Sequence, residues 1–428
     1  MPQTPTRHPA AVASEPCCAE YAAVTRRGLL VGAAALAGTS TMIGSAVVQA
    51  SAAAPVPARA VMVVLSLRGA ADGMSLVVPH ADPAYYQARP RIAVPADRLL
   101  VKDDMFGLHP ALAPLVPLWN EGLLAAVHAT GLPAPNRSHF SAMEEIEDAD
   151  PGSSARVGWL NRLIGTGAGT NPLRGFSMSE GVPPTSLYGP ADFISAGDVD
   201  SMAIAGDDEW DPEGRTVRSL QRMWNGKNTP MGKAMRATFQ AVQDFEPVQE
   251  TDEQPANGAA YPDSDLGQAL AEVARVIRGD VGVEVLTVDQ GDWDHHTGLG
   301  NVDSGRMVRN AGELASTIAA FFTDLGQLGD KVTLVTLSEF GRRVKENANQ
   351  GLDHGYGNVM FLAGAGVVGG QYHGQWPWLQ GEHDSDLLVT TDYRSVLAEV
   401  VESRFSASPA TVFPGFVRET VGVMRPAG

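Results

Sequence analysis

Five short apolar runs rich in β-branched residues, at 61–67, 123–129, 283–288, 332–337 and 359–363, alternate along the chain with segments of helical periodicity. That alternation predicts strands buried on both faces and covered by helices, hence an α/β fold with a mostly parallel sheet and helices on both sides. The helical segments run from Leu112 to Trp119, Ser141 to Asp148, Gly267 to Ile277 and Leu314 to Leu325. Pro117 lies inside the first and shortens or kinks it. The 428-residue chain exceeds the roughly 250–300 residues at which one core stops growing, so one large domain with a substantial insertion is expected. Between about 151 and 280 the pattern loosens into Gly- and Pro-rich turns, two helix-like stretches (216–224 and 231–245) and an acidic segment, 246–265, expected as a solvated loop.

The N-terminus predicts a compartment. Thr25-Arg26-Arg27-Gly28-Leu29-Leu30 reads as a twin-arginine signal followed by a weakly hydrophobic Ala/Gly-rich segment. Residues 1–54 are therefore expected as a signal peptide and short linker, with 55–428 as the exported domain in the periplasm, cell envelope or medium. The competing reading, a retained anchor, suffers from the Gly, Ser and Thr scattered through the apolar run. Both cysteines, Cys17 and Cys18, precede the arginines and leave with the signal. That removes disulfides, thiol nucleophiles and thiolate metal sites, leaving carboxylate, imidazole and hydroxyl chemistry. A net charge of −18 repels phosphate backbones, so nucleic acid is not an expected partner, whereas the export machinery is.

In open α/β sheets ligands bind beyond the carboxyl ends of the strands, and the segments there are rich in ligand types. Asp353-His354-Gly355 lies between two strand-like runs and pairs an anionic oxygen with an imidazole. After 61–67 comes Arg68-Gly69-Ala70-Ala71-Asp72-Gly73, where Asp72 either points into the crevice or makes an ordinary Asp-Gly turn. After 123–129, Asn136-Arg137-Ser138-His139-Phe140 opens a helix. Ser138 or Asn136 either caps it or offers a hydroxyl in the positive field of the helix start, with Arg137 alongside for an anion. After 283–288 the chain reads Asp289-Gln290-Gly291-Asp292-Trp293-Asp294-His295-His296, its densest cluster of ligand types. With carboxylates, imidazoles and no sulfur, the expected cofactor is a divalent ion such as Zn, Mn, Mg or Ca.

Taken in order, Arg68 to Gly73, Asn136 to Phe140, Gly158-Trp159-Leu160, Asp294-His295-His296, Ser338-Glu339-Phe340-Gly341-Arg342 and Asp353-His354-Gly355 with Gly369-Gly370 resemble the bacterial domain-of-unknown-function family numbered 1501. That family is itself similar to the alkaline phosphatase and sulfatase superfamily. The resemblance implies an alkaline-phosphatase-like fold and a two-metal hydrolase site. Asp72, Asp353, His354 and the Ser138 hydroxyl would share one metal, and Asp294 and His296 the second, with Asp292 an alternative ligand at the superfamily's four-residue spacing from His296. Ser138 would be the nucleophile and Arg342 or Arg137 would bind anionic oxygens. Glu339 would be a ligand, an orienter of a histidine or an Arg partner, and His373 stands where the superfamily has a further histidine.

The leading expectation is an exported metal-dependent hydrolase of phosphate or sulfate esters, acting on an anionic small molecule or an envelope ester. The alternative is a catalytically silent, metal-stabilised binding protein of the cell envelope.

Overall fold

The computed structural model describes residues 40–43, 46–49 and 56–427, apart from 168–170, 180–181, 205–210, 212 and 381–384. The twin-arginine motif and most of the expected signal segment lie outside the described residues. Within that segment, Ser40–Ile43 and Ala46–Gln49 form a hairpin on one edge of the sheet.

The expected alternation gives a mixed, mostly parallel sheet. Its main strands are β1 (Val61–Leu67), β2 (Leu124–Gly131), β3 (Gly175–Met178), β4 (Ile194–Ala196), β5 (Val285–Gln290), β6 (Val332–Leu337) and β7 (Asn358–Gly364). They stand in the order β4-β3-β5-β1-β6-β7-β2. β4, β3, β5, β1 and β6 are mutually parallel, while β7 runs antiparallel to both β6 and β2. The segment expected as an insertion therefore hands two strands, β3 and β4, to the sheet itself.

β1 has no polar face because it is buried on both sides. Val61, Val63 and Leu65 face one hydrophobic cluster, and Met62 and Val64 face the other, the alternation that a two-fold side-chain period imposes. On the first side pack α3 (Asp265–Gly279), with Leu266, Leu270, Val273 and Ile277 buried, and α4 (Arg306–Leu325), with Met307, Leu314, Ile318 and Phe321 buried. On the second side lie α1 (His139–Asp148), α2 (Trp159–Ile164) and α5 (Tyr393–Phe405).

Element ends moved where local chemistry intervenes. The helix expected over Leu112 to Trp119 splits into a 3-10 turn, Pro110–Leu115, and a short helix, Val116–Asn120, because Pro114 and Pro117 supply no backbone N–H. The helix beginning at Pro230 continues to Gln249, into the segment expected as a loop. Beyond it the chain stays irregular until Ser264 caps α3 by accepting from the Gly267 N–H.

The polar segments after the strands are fixed by backbone crossings that only glycine permits. Gly69 has φ +108°, and a Cβ there would lie 2.6 Å from the Asp294 nitrogen, so the loops after β1 and β5 touch backbone to backbone. Residues 341–343 and 353–355 pair in the same way, with the Arg343 N–H donating to the Asp353 carbonyl at 2.9 Å and that of Gly355 to Gly341 at 2.8 Å. A Cβ at Gly341 would stand 1.8 Å from the Gly357 carbonyl oxygen. Gly341→Ala is accordingly expected to lower stability by about 1–3 kcal/mol through overpacking, read as a shift in the chemical denaturation midpoint; an unchanged midpoint would show that the crossing yields freely.

Candidate metal centre

Three imidazoles converge from one helix start and two loops. His139 is the first residue of α1, His296 follows β5, and His354 follows the crossing of 341–343 with 353–355. The Nε2 of His354 lies 3.0 Å from that of His139 and 2.9 Å from that of His296. Asp294 Oδ1 stands 3.1, 3.6 and 3.7 Å from the Nε2 atoms of His296, His354 and His139. His139, Asp294 and His354 form a mutually close set with ligand atoms within 4.8 Å of one another. His296 flanks that set on the side of His354 and Asp294.

The other nitrogen of each ring assigns the protons. His139 Nδ1 faces Glu339 Oε1 at 2.9 Å, His354 Nδ1 faces the Arg137 carbonyl at 2.8 Å, and His296 Nδ1 faces Asp353 Oδ1 at 3.2 Å. Each of these oxygens is an acceptor, so each ring in its neutral form carries its hydrogen on Nδ1 and turns a lone pair at Nε2 toward the cluster. In that form the His354 nitrogen faces the other two Nε2 atoms at 2.9–3.0 Å and the Asp294 oxygen at 3.6 Å, a repulsion that a cation among them relieves. Imidazoles whose far nitrogen donates to a carboxylate or carbonyl are the usual arrangement around a protein-bound metal, and the donor set of nitrogen and oxygen without sulfur fits one.

Electrostatics agree. Burial alone would lower the His139 pKa, but the Asp294 and Glu339 carboxylates raise it to about 9, so without a metal a proton occupies its Nε2 near neutral pH, and a metal entering there displaces that proton. Burial would raise Glu339, yet the His139 ring and the backbone N–H of Gly69 hold it below the usual carboxylate range.

The structure distributes the sequence-derived candidates unevenly. Asp294, His296 and His354 come together as expected ligand types. Glu339 takes the orienting role, on His139. Asp353 lies one shell out, accepting from His296 and from Asn347 Nδ2 at 3.1 Å. Asp72 is elsewhere: fully buried, its two oxygens accept from Arg89 at 2.5 and 3.0 Å, which leaves its carboxylate committed to a cation already present. Asp292 pairs with Arg306 and Arg309, and the His373 Nε2 faces the Val368 carbonyl at 2.9 Å.

Arg342, expected against substrate, is fully buried. Its Nε donates to the Ala70 carbonyl at 2.6 Å, Nη1 to Leu352 at 3.0 Å, and Nη2 to Asp294 Oδ1 at 2.6 Å and to the Gly69 carbonyl. It holds the ligand-bearing loops together rather than facing solvent. Ser138 is the N-cap of α1 yet makes no side-chain capping bond, and its neighbour Arg137 pairs with Asp386.

His139 is the residue that reasoning from sequence passed over. It stands next to Ser138 in the same motif, and the hydroxyl drew the chemistry; the usable signal was a histidine at the first position of a helix after a strand.

Beside the cluster opens a cavity of about 840 Å³ whose lining includes His296, Asp353 and His354 together with Arg91, Arg137, Arg343 and Lys345. Arg91 pairs with Glu346, and Arg137 and Arg343 share Asp386, so the recess keeps a modest positive excess, carried by Lys345, in a chain of net charge −18. Lys345 is exposed and forms no ion pair among the described residues.

The sequence profile of the family described as protein of unknown function (DUF1501) matches residues 59–398, and the chain belongs to that family, as its motifs led us to expect. No curated protein matches it.

Two outcomes separate the roles of the acids. Asp72→Asn strands the buried Arg89 charge and is expected to cost about 3–5 kcal/mol of stability without altering metal content by elemental analysis; loss of metal would return Asp72 to the ligand set. Glu339→Gln keeps the fold but is expected to weaken metal affinity roughly 10–100-fold, measured by competition with a chelating dye, and an unchanged affinity would dismiss its orienting role.

Proposed function

We propose, on the premise of that family membership, that the protein is an exported metal-dependent hydrolase of phosphate or sulfate esters with a single metal centre held by His139, Asp294 and His354, and with His296 completing or flanking it. The observation that carries this reading is the convergence of imidazole nitrogens at the edge of a cation-lined cavity. Among the described residues no group of three ligand-type side chains separate from this cluster comes as close together, so the reading keeps one metal rather than the two that the superfamily resemblance implies. A nitrogen-rich donor set favours Zn²⁺, Mn²⁺ or Fe²⁺ over Mg²⁺ and Ca²⁺, which prefer oxygen throughout.

When bound, such an ion acts as a Lewis acid on an ester oxygen and lowers the pKa of a coordinated hydroxyl or water. The chain's own groups supply the rest. Lys345, Arg343 and Arg91 draw an oxyanion into the recess. Glu339, Asp353 and the Arg137 carbonyl hold the three rings in register, and Arg342 holds Asp294. Ser138, between Arg137 on the cavity wall and His139 in the cluster, has a hydroxyl not engaged in capping and lies in the positive field of the α1 start. In this role its oxygen, having passed its proton to water, bonds to phosphorus or sulfur as the bond to the ester oxygen breaks, and the ester oxygen leaves as an alcohol protonated from water; a second water then cleaves the serine ester, releasing phosphate or sulfate and restoring the hydroxyl.

The test is turnover of 4-nitrophenyl phosphate and 4-nitrophenyl sulfate by metal-loaded protein. Wild type is expected to hydrolyse at least one of them. Ser138→Ala is expected to lose on the order of 10³-fold or more in kcat, as removals of a nucleophile do, and Lys345→Ala to raise KM several-fold. Full activity in Ser138→Ala would remove the nucleophile. A full complement of metal with no turnover of any ester would favour the binding-protein reading.

A further inference from the structure

A second cavity, of about 780 Å³, lies at the other end of the sheet. Its lining includes Arg59 just before β1, Glu284 just before β5, Arg174 just before β3 and Arg404 in the last turn of α5. Three of these positions mark the amino ends of strands, and the carboxyl end of one of those strands, β5, leads into Asp294 and His296 of the metal centre. β1 alone separates the two regions by its seven residues, roughly 23 Å at the rise of a strand.

The charges around this cavity do not cancel. Arg174 bonds Glu284 at 2.6 Å, which satisfies that pair. Arg404 is different: its Nε is a buried atom with no hydrogen-bond partner among the described residues, and burial without any compensating carboxylate lowers its pKa. Arg59, exposed on the rim, forms no ion pair among the described residues. A position in the last turn of α5 explains why a basic residue suits that helix end. It does not explain a half-buried guanidinium that meets no carboxylate among the described residues of so acidic a chain. Buried charge without a partner is costly, and a cavity lined by two arginines that meet no carboxylate among the described residues has the character of an anion site. The rest of the wall is mixed, with Leu163, Phe405 and Ala407 beside the hydroxyls of Thr166 and Ser408.

We infer that this cavity binds a small organic oxyanion, its phosphate or carboxylate head paired with Arg404 and Arg59 and its hydrocarbon part lying on Leu163, Phe405 and Ala407. The site is separate from the metal centre and does not depend on the activity proposed there.

The experiment is isothermal titration calorimetry on the full chain carrying His354→Ala and Lys345→Ala, which removes one candidate ligand and the unpaired cation of the other cavity; binding that persists there is recognised by its indifference to Arg404 and Arg59. Inorganic phosphate and hexanoate are the two probes, and they distinguish a phosphate head from a fatty carboxylate. Saturable binding of one equivalent of either probe is expected. Adding Arg404→Gln should weaken it roughly tenfold or more, the loss of one charge-assisted hydrogen bond, and Arg59→Gln should weaken it less. Arg59→Gln, at an exposed position, keeps the test decisive even if Arg404→Gln fails to fold. No saturable binding of either probe, or affinity untouched by either arginine substitution, would overturn the inference.

Discussion

The arrangement rests on one buried guanidinium. Arg342 reaches from the loop after β6 to the carbonyls of Gly69, Ala70 and Leu352 and to the Asp294 carboxylate, so a single side chain ties together the segments after three strands. A planar fork of five donors can do this where an ammonium cannot. Removing it would leave three carbonyls and a carboxylate without that donor in a desolvated place, a loss of about 3–5 kcal/mol. The glycines at 69, 341 and 355 serve the same end by letting the loops approach to backbone contact, and without that approach Arg342 could not span them.

From that frame the ligand set follows. Asp294 is pinned by Arg342, His354 by the 341–355 crossing and the Arg137 carbonyl, and His139 by Glu339, which the Gly69 N–H anchors in turn. Each ring therefore has one nitrogen occupied by the scaffold and one left for a ligand. Such preorganisation keeps like lone pairs facing each other at a cost the fold must bear, and the cost is relieved when a cation enters. The acidic net charge and the basic recess are complementary in the same sense: the general surface repels anions and this wall gathers them.

Much of the architecture was legible because strands buried on both faces advertise themselves as unbroken runs of β-branched residues. Residues 61–67 and 332–337 form strands over those same spans, while the 283–288 run forms its strand two residues later, at Val285–Gln290. Three residues of the candidate centre, Asp294, His296 and His354, were picked out by ligand density after strands, and the structure brings them together. Others were not, because their roles depend on partners remote in sequence. Asp72 looks like a ligand until Arg89 is seen closing on it, and Arg342 looks like a substrate-binding group until Gly69 and Leu352 fold around it. His139 was obscured by the serine beside it. In each case the polar type was right and the partner decided the function.

The central claim is that His139, Asp294 and His354, with His296 alongside, hold one metal ion. Anomalous scattering from crystals grown with Mn²⁺ or Zn²⁺ tests it most directly. The account predicts a single strong peak per chain, with ligand distances of about 2.0–2.2 Å to His139 Nε2, His354 Nε2 and an Asp294 oxygen. A peak at Asp72 or Asp353 instead, or none in protein that retains its fold, would contradict it.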